Sequence, residues 1–361
     1  MSVFIGVLLG AGPKISNKNS RVALLDLIET VISSGANTPL DIESDTSLIA
    51  YCENLTRILE DSKYTNAGYG SELTDTGTVE CDAQMITSVG NTPRQVQASA
   101  GAVPMVRNPI KLCSYLICNQ LQQYDPALNI SYNPLGVPNF IVGEGALLLA
   151  KEIGVPYGSL TTDRALASRK KYMAILNKVD GDISVSEQPE IDRFTDTIGI
   201  IVITEKSICV CSSSGGPVLK KSGRVGPAAI VGAGAAINAD CSVAAVCSGF
   251  GEDITALGLA SRAAQSQSLN ELNIVTGISQ PAEKKLKNGE ESMKSLTDRL
   301  RQRSSLGVLR AERIDSNKVN VEHANSTENM IWGCGRVWIQ NHKYTHHAYI
   351  NKKPQNGGIV V

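Results

Sequence analysis

From residue 196 to residue 226 the chain reads DTIGIIVITEKSICVCSSSGGPVLKKSGRVG. Two β-branched, apolar runs, TIGIIVI and SICVC, flank a polar pair at Glu205 and Lys206, which is the pattern of a buried hairpin. Upstream lies DGDISVSEQPEIDRF, polar, broken by Pro189 and without helical or strand period, so an exposed, mobile linker is expected over about 180–196. A tether that ends on the first residue of a core strand is the geometry in which a backbone cut frees an amino terminus inside a fold.

Outward from this stretch, the opening MSVFIGVLLGAG suits a buried first strand, and it lacks the basic residues that precede the apolar run of a secretion signal. Val22, Leu25, Ile28 and Ile32 recur at helical spacing, as do Leu48, Cys52, Leu55 and Leu59. A loop rich in Gly, Thr and Asn follows through DSKYTNAGYGSELTDTG and turns strand-like at TVECDAQMI. Helical pattern returns from Gly143 to Lys178. SVAAVCSGFGEDITALGLASRAA runs from strand through a glycine turn into a helix, the charged segment from Gln280 to Arg313 reads as a solvated helix, and KVNVEH, NMIWGCGRVWI and HHAYIN read as closing strands. Two strand-rich halves with helices in alternation predict an α+β fold, a four-layer αββα sandwich in a single domain over residues 1–361.

Composition narrows the function. Lys and Arg number 34 against 35 Asp and Glu, a net charge of −1, which removes the broad attraction on which nucleic-acid binding depends. No apolar run reaches the length of a membrane span. Nine cysteines without repeated CxxC spacing fit a reducing compartment, cytoplasmic, nuclear or both. Cys209 and Cys211 would share one strand face as structural thiols, with no second pair to complete a zinc set. GAGAAI at Gly232 to Ile237 lacks the third glycine of a dinucleotide loop, so no cofactor is expected from it.

The chemistry centres on Thr197. A threonine hydroxyl needs a base beside it, and an amino-terminal threonine carries its own, an α-amine with an unperturbed pKa of about 7.7–8.0. Residue 197 of an intact chain has no such amine, so the Asp196–Thr197 bond must first be broken. The four histidines all lie at or beyond His323, and no Ser-His-Asp order is visible.

The segments TNAGYGSELTDTGTVECDA, GAVPMVRNP, LTTDRALASRKKYM, DTIGIIVI, SSGGPVLKKSGRVGPAA and CSGFGED occur in the order found in the asparaginase-type N-terminal nucleophile hydrolases. Within them the chain resembles the threonine aspartase, or taspase, branch. The resemblance implies an autocatalytic zymogen that cuts itself into an α subunit, residues 1–196, and a β subunit, residues 197–361. Thr197 would be the nucleophile and Asp196 the end of the first subunit. Ser214 falls where the family has a hydroxyl bonded to the nucleophile, and Ser248 and Gly249 where it binds the developing oxyanion. Asn66 falls where the family has a site amide, and Arg224 matches its anchor for a substrate carboxylate. The resemblance further implies an αβ unit or its dimer, no organic cofactor, and a monovalent cation in the loop from Leu59 to Asn66.

Two positions depart from the family. Pro227 stands where most asparaginases have an acid that holds the substrate amine, and Leu8 stands in place of the His of the family's His-x-Gly-Ala-Gly opening. The first expectation is therefore an endopeptidase that cleaves polypeptides after internal aspartate, with Lys14 or Lys18 helping to hold the aspartate side chain. The alternative is an L-asparaginase or β-aspartyl dipeptidase, and a further one is an uncleaved, inactive scaffold.

Overall fold

The computed structural model describes residues 2–12, 18–90, 92–123, 136–176, 197–272, 306–326, 329–351 and 355–361. The expected linker over about 180–196, Asp196, Lys14 and residues 280–305 of the expected charged helix lie outside these described residues.

The chain opens with strand β1 (Val3–Gly12) and two helices, α1 (Lys18–Asn37) and α2 (Asp45–Glu60). Strands β2 (Glu80–Ser88) and β3 (Gln95–Pro104), helix α3 (Ile110–Gln123), strand β4 (Phe140–Val142) and helices α4 (Gly143–Glu152) and α5 (Asp163–Leu176) complete the part before residue 197. After it come β5 (Ile198–Ile203), β6 (Ile208–Ser214), β7 (Ala235–Ile237), β8 (Val243–Gly249), α6 (Gly251–Leu257) and α7 (Leu259–Gln265). Strands β9 (Leu306–Asp315), β10 (Lys318–Asn325), β11 (Asn329–Trp338), β12 (Lys343–Asn351) and β13 (Gln355–Val360) close the fold.

Two sheets form: an eight-stranded one in the order β12-β11-β1-β5-β6-β2-β3-β4, and a five-stranded one in the order β13-β10-β9-β8-β7. Strand alternation assigns side chains to layers. Along β5, Ile198, Ile200 and Val202 join the core under α1, α2 and α3, while Ile201 and Ile203 join Leu8, Val246, Leu309 and Trp332 between the sheets. A third core, with Ala245, Ile254, Leu259 and Ala263, lies beneath α6 and α7. Each such Leu or Ile contributes about 1.5–3 kcal/mol on burial, and a slip of one residue in β5 would turn both of its faces the wrong way. The αββα layering follows.

Local chemistry sets the boundaries. Ser44 caps α2 by accepting a hydrogen bond from the Ser47 amide at 3.2 Å. Gly258, at φ 55°, ends α6 and starts α7, so the helix expected after CSGFG is two short ones. Two further expectations change. The buried stripe of α1 is Leu24, Ile28, Val31 and Ile32, so Ile28 and Ile32 are buried as expected while Val22 is exposed and Leu25 half-buried, because the apolar face turns slightly to meet β11 and β12. Residues 306–313, expected as the end of a solvated helix, belong to β9, whose residues 306–311 are buried, with Leu309 and Ala311 between the sheets and Val308 in the core beneath α6 and α7.

Candidate active site

Strands β5 and β6 pair antiparallel with Ile198 opposite Ser213, and one further step brings Thr197 opposite Ser214. Ser214 is in turn the partner of Asp82 on β2. By alternation these three side chains belong to the face turned toward the second sheet, the face on which Gly199 meets Val246 of β8. Thr197 is 4% exposed. A Cβ on Gly199 would strike the Val246 side chain, so glycine lets the sheets touch here; two residues from this crossing along each strand lie Thr197 and Ser248.

The turn after β6 is pinned from several sides. Ser214 Oγ accepts from the Gly216 amide at 3.1 Å, the Gly215 amide donates to the Asn66 carbonyl at 2.7 Å, and Asn66 Nδ2 donates to the Gly216 carbonyl at 2.8 Å. Asn66 Oδ1 accepts from the Glu72 amide at 3.0 Å, and Glu72 binds Arg164 of α5 at 2.6 Å. The amide of Asn66 is thus fully oriented. Its loop is strapped to α5, the last described element before residue 197.

Arg224 lies against the glycines. A Cβ on Gly216 would come within 3.1 Å of its Nη1, on Gly226 within 2.8 Å of Nη1, and on Gly251 within 2.5 Å of Nη2. Its Nε and Nη2 donate to Oε1 of Glu252 at 3.1 and 2.8 Å. Ser248 is buried, and its Oγ accepts from the Ala11 amide at 3.3 Å, beside the end of β1; Gly249 follows with φ 132°. Thr197, Ser214 and Asn66 are thereby gathered around one turn, Arg224 lies on its flank, and Gly249 reaches Arg224 through Gly251 and Glu252.

Beneath the turn lies an ion pair that the sequence reading did not single out. Asp82 and Lys220 have essentially no exposed side chain, and Lys220 Nζ stands 3.8 Å from Asp82 Oδ2. Asp82 Oδ1 accepts from the Ala102 amide at 2.7 Å and Oδ2 from the Gly226 amide at 2.8 Å. Burial raises the Asp82 pKa, opposed by the Lys220 charge and these two amides. A charged residue amid the strand-like TVECDAQMI was the available signal, whereas Lys220 stands next to the exposed Lys221 and nothing in the sequence separates the two. Lys18, expected near a substrate carboxylate, is exposed at the first turn of α1.

Leu8, in place of the family histidine, is buried between the sheets opposite Gly199, so the position is filled by apolar packing. Pro227 is also buried, and its carbonyl accepts from Gln84 at 3.1 Å. All nine cysteines are free thiols, and among the described residues no group of His, Cys, Asp and Glu is arranged to hold a metal. No described helix is long and apolar enough to cross a membrane.

The loop from Leu59 to Asn66, where a monovalent cation is expected, packs closely against two glycines. Gly68 and Gly70, lacking Cβ atoms, allow the carbonyl oxygens of Glu60, Ser62, Thr65 and Arg107 to crowd around them. Glu60 Oε1 accepts from Ser213 Oγ at 2.7 Å and the Ile110 amide at 3.2 Å, while its buried Oε2 has no hydrogen-bond partner. Burial pushes this carboxyl up to about 8.

Comparison with known proteins bears on the same residues. The family described as asparaginase matches residues 136–294, a span that includes Thr197, Ser214, Arg224, Ser248 and Gly249. These residues thus fall in a span similar to that family. The chain is also similar to a plant-type L-asparaginase of Pyrococcus abyssi, 31% identical over 58% of this chain and 63% of that protein. An isoaspartyl peptidase/L-asparaginase of Xenopus laevis is 32% identical over 59% of this chain and 61% of its own. A probable isoaspartyl peptidase/L-asparaginase of Arabidopsis thaliana is 28% identical over 69% and 76%. The chain spans less than two thirds of the length of the first two. Names in this asparaginase group point to amide hydrolysis; none of the three is named as an aspartate-specific endopeptidase.

Proposed function

We propose that the protein is the precursor of a threonine-nucleophile amidohydrolase of the asparaginase type, activated by hydrolysis of its Asp196–Thr197 bond. The observation that carries the reading is a threonine buried immediately before the first residue of core strand β5, one step beyond the Ile198–Ser213 pair and directly after the expected linker. In the cut form the α-amine of Thr197 accepts the hydroxyl proton, directly or through water, and Oγ1 attacks the substrate carbonyl. Ser248 Oγ and the Gly249 N–H stabilise the oxyanion, the amine or ammonia leaves, and water hydrolyses the resulting threonyl ester. Arg224 grips a carboxylate of the substrate by its planar guanidinium.

The names of the relatives favour L-asparagine and β-aspartyl dipeptides as substrates. A second reading, hydrolysis of polypeptides after internal aspartate, is favoured by the buried ring of Pro227, which offers no contact to a free amine. It is also favoured by the exposed Phe140, which packs with Val225 over Gly101 beside Arg224. In either case the active species is an αβ unit or its dimer. Intact mass and amino-terminal sequencing of the purified protein should give fragments of 196 and 165 residues, with Thr197 leading the second, and Thr197→Ala should remain whole and inactive. An active single polypeptide would refute the mechanism. Ammonia from L-asparagine with an internal-Asp peptide left untouched would reject the second reading; cleavage of that peptide alone would establish it.

A further inference from the structure

The substrate anchor has a partner that the family resemblance does not assign. Arg224 is 19% exposed and Glu252 is 60% exposed, yet one carboxylate oxygen of Glu252 takes both the Nε–H and an Nη2–H of the guanidinium, at 3.1 and 2.8 Å. A guanidinium is planar, so fixing that edge fixes the direction of the remaining donors. Those donors belong to Nη1 and the far side of Nη2. Nη1 lies against Gly216 and Gly226, on the flank of the turn that carries Ser214 and near Asp82 Oδ2, which itself touches the space beside Gly226.

Two backbone features hold Glu252 in place. It occupies the first turn of α6, where a carboxylate is favoured, and it follows Gly251, whose missing Cβ leaves room for Nη2 and for the Pro227 ring. It is also three residues beyond Gly249, at the end of β8. The chain that bears the oxyanion donors therefore also bears the group that aims the anchor.

We infer that Glu252 is a positioning residue for the substrate carboxylate: it sets the plane of Arg224 so that the Nη1 edge faces the nucleophile turn, and does not itself touch the reacting atoms. This deepens the proposed function and rests on Arg224 being the anchor. A role of the opposite sign is chemically available, because a carboxylate already on Arg224 could compete with the substrate's own. The two differ in what removal does to KM.

The test uses the self-processed protein and whichever of L-asparagine, β-aspartyl-alanine and an internal-Asp peptide it turns over fastest. Glu252→Ala should raise KM by roughly two- to fivefold, the span of a partly exposed ion pair, with kcat unchanged. Glu252→Gln, which keeps an oxygen acceptor, should restore KM to near the wild-type value. Calorimetric affinity for L-aspartate should fall in Glu252→Ala by the same factor as KM rises. A lowered KM in Glu252→Ala identifies a competitor and overturns the inference; an unchanged KM overturns it as well, as does a loss confined to kcat. Arg224→Ala separates the premises. If it raises KM by about tenfold or more while Glu252→Ala does nothing, only the positioning role fails; if it leaves KM unchanged, the reading of the anchor fails.

Discussion

Two buried carboxylates stand on opposite faces of the same sheet, and their surroundings differ. Asp82, facing the second sheet, has a buried ammonium and two backbone amides for its charge. Glu60, on the helix side, bonds the hydroxyl of Ser213 and the Ile110 amide through one oxygen, has the Asn108 side-chain amide favouring its charged form, and among the described residues no basic group is paired with it. Burial penalises both, but only Asp82 meets an opposing full charge, while Glu60 is pushed up to about 8. The first ties β2 to the Gly226 loop with a counter-charge and two amides to offset its burial. The second is raised by burial with no opposing full charge.

The largest effect that would break this contrast comes from Asp82→Ala. It leaves Lys220 buried and uncompensated, and chemical denaturation should show a loss of about 3–5 kcal/mol. A loss below about 1 kcal/mol would mean that the ion pair does not anchor the loop. Glu60 gives a pH signature instead. Its folded pKa is raised from 4.5 to about 8, so its contribution is fully present below about 4.5 and is lost as pH rises through about 8. Glu60→Gln has no such loss, and by pH 8 it should exceed the wild-type stability by on the order of 2–4 kcal/mol, with the gap closing toward pH 4.5. A gap that shrinks on adding sodium or potassium chloride, against a choline chloride control, would place the cation beside this carboxylate.

The smallest effect sharpens the comparison at the turn shared by both sites. Gly215 follows Ser214, the partner of Asp82, and Ser213, the partner of Glu60. A Cβ there would come within 2.5 Å of Ser71 and 2.8 Å of Asn66 Oδ1, so Gly215→Ala should cost about 1–3 kcal/mol of stability. Activity should fall further than stability, because Asn66 must move.

The layers were legible where apolar runs are short and β-branched. TIGIIVI and SICVC place their apolar residues on both faces of a buried sheet, and their length and β-branching favour strand over helix. The α1 stripe was misjudged because Val22 and Leu25 satisfy helical spacing as well as Leu24 and Val31 do, and only packing on β11 and β12 separates them. Residues 306–313 were misread because Arg310 and Glu312 look solvent-facing, whereas Arg310 is buried, donating to the Ala263 and Ser266 carbonyls and paired with Glu312 and Glu322. At the candidate site, the linker–strand boundary pointed to Thr197, and the resemblance to the asparaginase-type hydrolases implied Ser214, Asn66 and Arg224. Asp82 left a signal as a charge within a strand-like run, whereas Lys220 and Glu252 were not legible, since their partners come from other segments that meet only in the fold.

The order of strands in the larger sheet has a bearing on what a cut can do. β1 comes from before residue 197 yet is hydrogen-bonded between β11 and β5, which come after it, and β6 is likewise held between β5 and β2. The products of a break at residue 196 are woven through one another rather than laid side by side. Neither piece can leave without tearing open sheet edges, so two differently tagged preparations, mixed after processing, should not trade halves.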